Sequence, residues 1–118
     1  MQLLFLEPDE YYHSKFSDFF GSLGEVVIKN RSEDVMAFLE NSSPDVIVME
    51  ILFPGKDGYQ ILREINSSSN KKIPVFVYSQ LEHLDDVKAA MNLGANAYFV
   101  KGKDSMHDLK KLILTYAQ

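Results

Sequence analysis

No cysteine occurs in the 118 residues, which excludes a disulfide framework, thiolate metal ligands and a cysteine nucleophile. No apolar stretch approaches the ~20 residues that span a bilayer, so no membrane partner is expected. The first residues, Met1 to Glu7, carry no basic segment and reach a charge early, unlike a secretory signal peptide. Positive charge is also scarce: 12 lysines and arginines against 17 acids leave a net charge of −5. That balance argues against nucleic-acid binding through bulk electrostatics, and a chain of this length leaves no room for a separate DNA-binding module. No strand-like run is followed by a loop glycine-rich enough to cradle a phosphate or cofactor. Internal repeats and low-complexity tracts are absent too. The expectation is one domain over residues 1–118, in the cytoplasm, with enough apolar residues to bury a core unaided.

What is present is an alternation. Five short apolar or β-branched runs, Leu3–Leu6, Glu25–Lys29, Asp45–Met49, Pro74–Tyr78 and Ala97–Val100, predict strands. Between them the apolar spacing changes to a helical period. Tyr12, Phe16, Phe19, Phe20 and Leu23 form one stripe; Val35, Phe38 and Leu39 a second; Gly58, Ile61, Leu62 and Ile65 a third. Leu84, Val87 and Met91 mark a fourth helix, and Met106, Leu109, Leu112, Ile113 and Tyr116 a fifth. Asp9, Asp57, Ser79 and Asp104 stand where helix caps are needed, and Gly94 where the fourth helix stops. Strict alternation implies parallel strands joined by right-handed crossovers, hence a three-layer α/β/α sandwich around a five-stranded parallel sheet.

Parallel strands end on one edge, where open α/β sheets place their ligand sites. Just past those ends come Glu7 and Asp9, then Glu50, Ser79 and Lys101. Carboxylates, a hydroxyl and an ammonium from distant parts of the chain suit oxygen-ligated divalent cations or phosphoryl chemistry on a carboxylate. The histidines, His13, His83 and His107, fall on three different predicted helices without i, i+4 pairing, so a zinc site is not expected. Lys110 and Lys111 read as a solvated helix face.

The spaced motifs resemble those of a response-regulator receiver domain over essentially the whole chain. Glu7-Pro8-Asp9 lies where that family carries its acidic pair, and Glu50 lies at the phosphoacceptor. Pro54 to Gly58 matches the following loop, and Ile73 to Ser79 the fourth strand with its switch hydroxyl. Asp86 to Ala95 matches the fourth helix and its exit, Tyr98 the switch aromatic and Lys101 the phosphate-binding lysine. The resemblance implies the flavodoxin-like strand order 2-1-3-4-5. It also implies a signalling module rather than an enzyme, and a metal shell of Glu7, Glu50 and the Leu52 backbone carbonyl for a weakly held Mg²⁺. Partners would be a histidine kinase, an output domain or another signalling protein. They would dock on the fourth helix, fifth strand and fifth helix, with His83, Asp86, Lys88, Tyr98 and Lys103 as exposed candidates.

Four departures cluster at the same edge: glutamate for the acceptor aspartate at Glu50, Pro8 for an acid, Gln80 for a small residue, and Gly102 for proline. In-line phosphoryl transfer tolerates misplacement of the nucleophile poorly, so the extra methylene of Glu50 argues against phosphorylation there. The expectation is a pseudo-receiver that acts by protein–protein contact and needs no cofactor. Within it Glu50 is either a partial mimic of the phosphorylated state, reaching toward Ser79 and Lys101, or a plain structural partner of Lys101. The alternative is an active, Mg²⁺-dependent phosphoacceptor with a rearranged acidic pocket. Asp9 stays open between metal ligand and helix cap, and Ser79 between switch hydroxyl and cap.

Overall fold

The computed structural model describes residues 1–68 and 72–116. Five strands, β1 (Gln2–Leu6), β2 (Glu25–Lys29), β3 (Val46–Met49), β4 (Val75–Ser79) and β5 (Ala97–Val100), form one parallel sheet in the order β2-β1-β3-β4-β5. The helices are α1 (His13–Phe20), α2 (Ser32–Asn41), α3 (Gly58–Ser68), α4 (Leu84–Asn92) and α5 (Met106–Tyr116). Short 3-10 turns, Glu10–Tyr12 and Gly21–Leu23, flank α1. Alternation, strand order and the five helices all agree with the reading of the sequence, with ends differing by a residue or two.

Because both faces of the sheet are covered, the central strands are buried along their whole length. Successive side chains still point to opposite faces. Leu4, Leu6, Ile47, Met49, Val75 and Val77 pack toward α2, α3 and α4 with Val35, Ile61, Leu62 and Ala90. Leu3, Phe5, Val46, Val48, Phe76 and Tyr78 pack toward α1 and α5 with Phe16, Phe20, Leu109 and Ile113. This parity decides what meets beyond the strand ends. Glu7, Glu50 and Lys101 continue the α1/α5 parity of Phe5, Val48 and Phe99, whereas Ser79 continues the α2/α3/α4 parity of Val77 and shares that side with Tyr98. The ladder carries on past the strands to hold these residues in register: Glu7 N–H donates to Lys29 O, Glu50 N–H to Leu6 O, and Lys101 N–H to Ser79 O.

Four local expectations need correction. Leu84 and Met91 do not face the core but are 65% and 41% exposed, while Ala90 is fully buried. The fully buried contact of α4 with the core is Ala90, and Val87 is half-buried. Ser79 does not cap α4, which starts later at Leu84 behind His83; its hydroxyl accepts from Leu81 N–H instead. Asp104 does not cap α5: its carboxylate accepts from Val100 N–H, and Ser105 Oγ accepts from Asp108 N–H in its place. Asp57 does cap α3 through Gln60 N–H. Gly94, at φ +106°, turns the chain after α4 through a conformation closed to most side chains. Lys110 is no mere solvated residue: its ammonium donates to Phe19 O and lies over the Phe19 ring, tying α5 to the end of α1.

Gly58 and Gly21 give a paired test of this packing. A Cβ on Gly58 would lie 2.4 Å from Ile51 Cα and 2.6 Å from its carbonyl oxygen, so α3 starts against the backbone that follows β3. Gly58→Ala is expected to lower stability by about 1–3 kcal/mol. Gly21 has helical φ, and a Cβ added to it would meet nothing within 4 Å, so Gly21→Ala is expected to raise stability by roughly 0.5–1 kcal/mol. Urea unfolding midpoints check both signs.

Candidate functional site

Parity and register bring three ionisable side chains together beyond β1, β3 and β5. Lys101 Nζ lies 2.7 Å from Glu7 Oε1 and 2.8 Å from Glu50 Oε1, and all three side chains are only 2–3% exposed. Each carboxylate spends its other oxygen on backbone. Glu50 Oε2 accepts from Ile51 N–H at 2.6 Å and Leu52 N–H at 3.0 Å, and Glu7 Oε2 accepts from Asp9 N–H at 3.1 Å. Gln80 N–H approaches Glu50 Oε1 at 3.3 Å. His13 Nε2 donates to Glu7 O and anchors the same turn.

Two carboxylates share one ammonium, so the buried group carries an excess negative charge spread over these backbone donors. Burial raises the pKa of Glu7 above the ordinary carboxylate range, and the Lys101 ammonium only partly offsets it. Burial also disfavours the Lys101 ammonium, but its hydrogen bonds to Glu50 and Glu7 outweigh that and hold its pKa above the ordinary value.

Other expected site residues stand apart. The Ser79 hydroxyl is buried on the opposite parity and forms a turn with Leu81 N–H; no hydrogen bond joins it to Glu50. The expected reach of Glu50 toward Ser79 is therefore corrected: the carboxylate meets Lys101 and the Gln80 backbone. Asp9 is exposed and caps the 3-10 turn through Tyr11 N–H, which favours the cap reading. Leu52 gives its N–H to Glu50, and its side chain is exposed.

Of the expected docking residues, His83, Lys88 and Lys103 are exposed, with Lys103 paired to Glu82 at 3.2 Å. Asp86 and Tyr98 are only partly exposed, a correction to their expected exposure. Tyr98 OH donates to Leu81 O at 2.8 Å, which holds its ring against the β4–α4 loop. Tyr59, not singled out in the sequence, donates to Asp86 O at 3.2 Å; burial first, then the Asp86 charge, push its pKa up to about 12. Its place one residue after Gly58, at the start of α3, is the only sequence signal for that contact.

The family model of the response regulator receiver domain matches residues 16–113. Response regulator Rcp1 of Synechocystis sp. is 35% identical over 97 residues, covering 75% of this chain and 65% of that protein. Regulator of RpoS of Escherichia coli K12 is 26% identical over 113 residues, covering 95% of this chain but 33% of that protein, so the chain spans about a third of that relative. Among solved structures, a two-component response regulator from Clostridium difficile superposes with TM-score 0.90 at 17% identity, covering 98% of this chain and 94% of the other. The receiver domain of sensor histidine kinase PA1611 from Pseudomonas aeruginosa PAO1, with a magnesium ion coordinated in its active-site cleft, superposes with TM-score 0.85 at 21% identity over 98% of this chain and 96% of that one. The chain belongs to the response regulator receiver domain family of two-component signalling, whose members are generally signalling modules rather than enzymes.

A divalent cation needs several oxygen ligands free to converge. Here the inward oxygens of Glu7 and Glu50 are both taken by the ammonium, Pro8 brings no side-chain oxygen, and Asp9 turns away to its cap. Among the described residues no group of three or more His, Asp or Glu side chains is placed to hold a metal. In this arrangement the carboxylate oxygens that would reach Mg²⁺ are engaged by Lys101.

Two measurements probe the triad. Lys101→Met strands two buried carboxylates and is expected to cost about 3–5 kcal/mol near neutral pH, shrinking as acid protonates them. Glu50→Gln leaves a balanced pair and is expected to cost far less; urea titrations of both variants decide. In the pH profile, folded Glu7 holds a proton that the unfolded chain has already released. Wild-type stability therefore falls as pH rises from 4.5 through the raised value of Glu7. It falls again as pH rises from 10.5 through the raised value of Lys101. Glu7→Gln is expected to remove the acidic segment of that slope.

Proposed function

We propose that this receiver domain works as a pseudo-receiver: it signals through protein contacts and is not phosphorylated at Glu50. The observation that carries this is the closed state of Glu50. One of its oxygens is held by two backbone N–H groups and the other by Lys101. A carboxylate nucleophile needs a lone pair aimed at phosphorus and cations to neutralise the transferred oxygens. Glu50 has its lone pairs engaged, and the one nearby ammonium is engaged with it.

The same contacts favour one fixed conformation. Glu50 draws in Lys101 from the end of β5; Tyr98 on β5 holds the β4–α4 loop; Tyr59 and Lys103 tie the start of α4 and the residues before it. Glu50 then supplies permanently a charge that phosphorylation would supply transiently, though with one negative charge where a phosphoryl group brings up to about two. The docking face in this reading is α4, β5 and α5, with His83, Lys88 and Lys103 exposed and Asp86 and Tyr98 half-buried. A histidine kinase, an output domain or another signalling protein would bind there, in the cytoplasm.

Acetyl phosphate with Mg²⁺ is expected to leave the wild-type mass unchanged, and beryllofluoride with Mg²⁺ to cause no saturable amide shifts at Glu50, Ser79 or Lys101. Glu50→Asp combined with Pro8→Asp is expected to gain a phosphorylated species at high Mg²⁺. A phosphorylated wild type, or saturable shifts in it, would establish the alternative of an active, Mg²⁺-dependent receiver.

A further inference from the structure

Tyr12 belongs by its spacing to the core stripe of α1, yet its ring reaches the ionic site. Phe5 and Phe16 stack at 4.4 Å between centroids, Phe16 and Tyr12 lie nearly parallel at 5.8 Å, and Lys101 Nζ stands 4.1 Å from the Tyr12 centroid. Tyr78 meets Tyr12 edge-on at 6.0 Å and lies 5.9 Å from the same ammonium. The column starts from buried rings, Phe5 at 0% and Phe16 at 1% exposure, and these back the half-buried Tyr12. The ammonium thus has two carboxylates in hydrogen-bonding contact and two aromatic rings nearby. Such surroundings suit an organic cation, because ring faces attract an ammonium but supply no ligand oxygen to a divalent ion.

We infer that Tyr12 is a positioning residue that holds the Lys101 ammonium between Glu7 and Glu50 as the pocket's resident cation, and so keeps a divalent ion out of that place. This rests on the reading of the pocket as closed to phosphoryl transfer, and it adds a cause lying in the approach to α1, away from Glu50 and Pro8. A ring without the hydroxyl keeps the contact; an aliphatic side chain of similar bulk fills the space and loses it.

The test titrates Mn²⁺ into the wild-type chain, Tyr12→Phe and Tyr12→Leu. Paramagnetic broadening of amide signals reads the metal, and the Lys101 ammonium ¹⁵N signal reads its position. Wild type and Tyr12→Phe are expected to show no saturable broadening around Glu7 and Glu50 and the same ammonium signal. Tyr12→Leu is expected to shift that signal and to gain saturable broadening around Glu7 and Glu50, a rise in Mn²⁺ affinity of at least roughly tenfold, the weight of a partly desolvated cation–π contact. A Tyr12→Leu variant that differs from wild type in neither readout overturns the inference. Should that variant not fold, the wild type decides alone: the Lys101 Hε protons are expected upfield under the Tyr12 ring current, and unshifted resonances overturn the inference. The two readings fail separately. Phosphorylation of the wild type by acetyl phosphate sinks the proposed function, whereas a silent Tyr12→Leu sinks only the role of Tyr12.

Discussion

One ammonium shared by two buried carboxylates organises the C-terminal edge of this sheet. Lys101 bonds to Glu7 past β1 and Glu50 past β3, and so links the ends of three strands. Burying ions is expensive, and mutual attraction repays it only where the remaining lone pairs are hydrogen-bonded. That condition is met here by backbone: Asp9 N–H serves Glu7, and Ile51 and Leu52 N–H serve Glu50. The triad is therefore less a source of net stability than a commitment. Once these groups are buried together, losing the lysine leaves two carboxylates uncompensated, and the chain around them is held in one arrangement.

That commitment bears on function because a phosphorylation switch uses the same groups in a different way. It needs the acceptor free, the lysine available and a divalent ion between carboxylates. In this chain the carboxylate at the acceptor position is bonded to Lys101 and to backbone N–H groups. The family membership gives the frame of two-component signalling; the proposed output without phosphoryl transfer rests on these local contacts.

Much of this was legible in the sequence because the rules involved are local and periodic. Alternating runs predicted the elements; of the residues expected just past the strand ends, Glu7, Glu50 and Lys101 meet, whereas Asp9 and Ser79 stand apart. The split between Ser79 and the triad was also available, since counting by twos along β4 puts Ser79 with Val77 on the other face. What could not be read depends on distances between elements. Leu84, Val87 and Met91 fit a helical stripe, but α4 is rotated so that Ala90 is fully buried and Leu84 and Met91 are exposed. Tyr12 looks like one more core aromatic until the packing of Phe5 and Phe16 carries its ring to Lys101. Helix starts slipped for a related reason: Ser79 and Asp104 found nearer backbone donors than the helices they were expected to cap.

The central claim is that an ammonium, not a metal, is the cation between Glu7 and Glu50. A crystal of the wild-type protein soaked in Mn²⁺ and measured at the manganese absorption edge tests it most directly. The account predicts Lys101 Nζ within hydrogen-bonding distance of both carboxylates and no anomalous peak between them. An anomalous peak bridging Glu7 and Glu50, with Lys101 displaced, would contradict it.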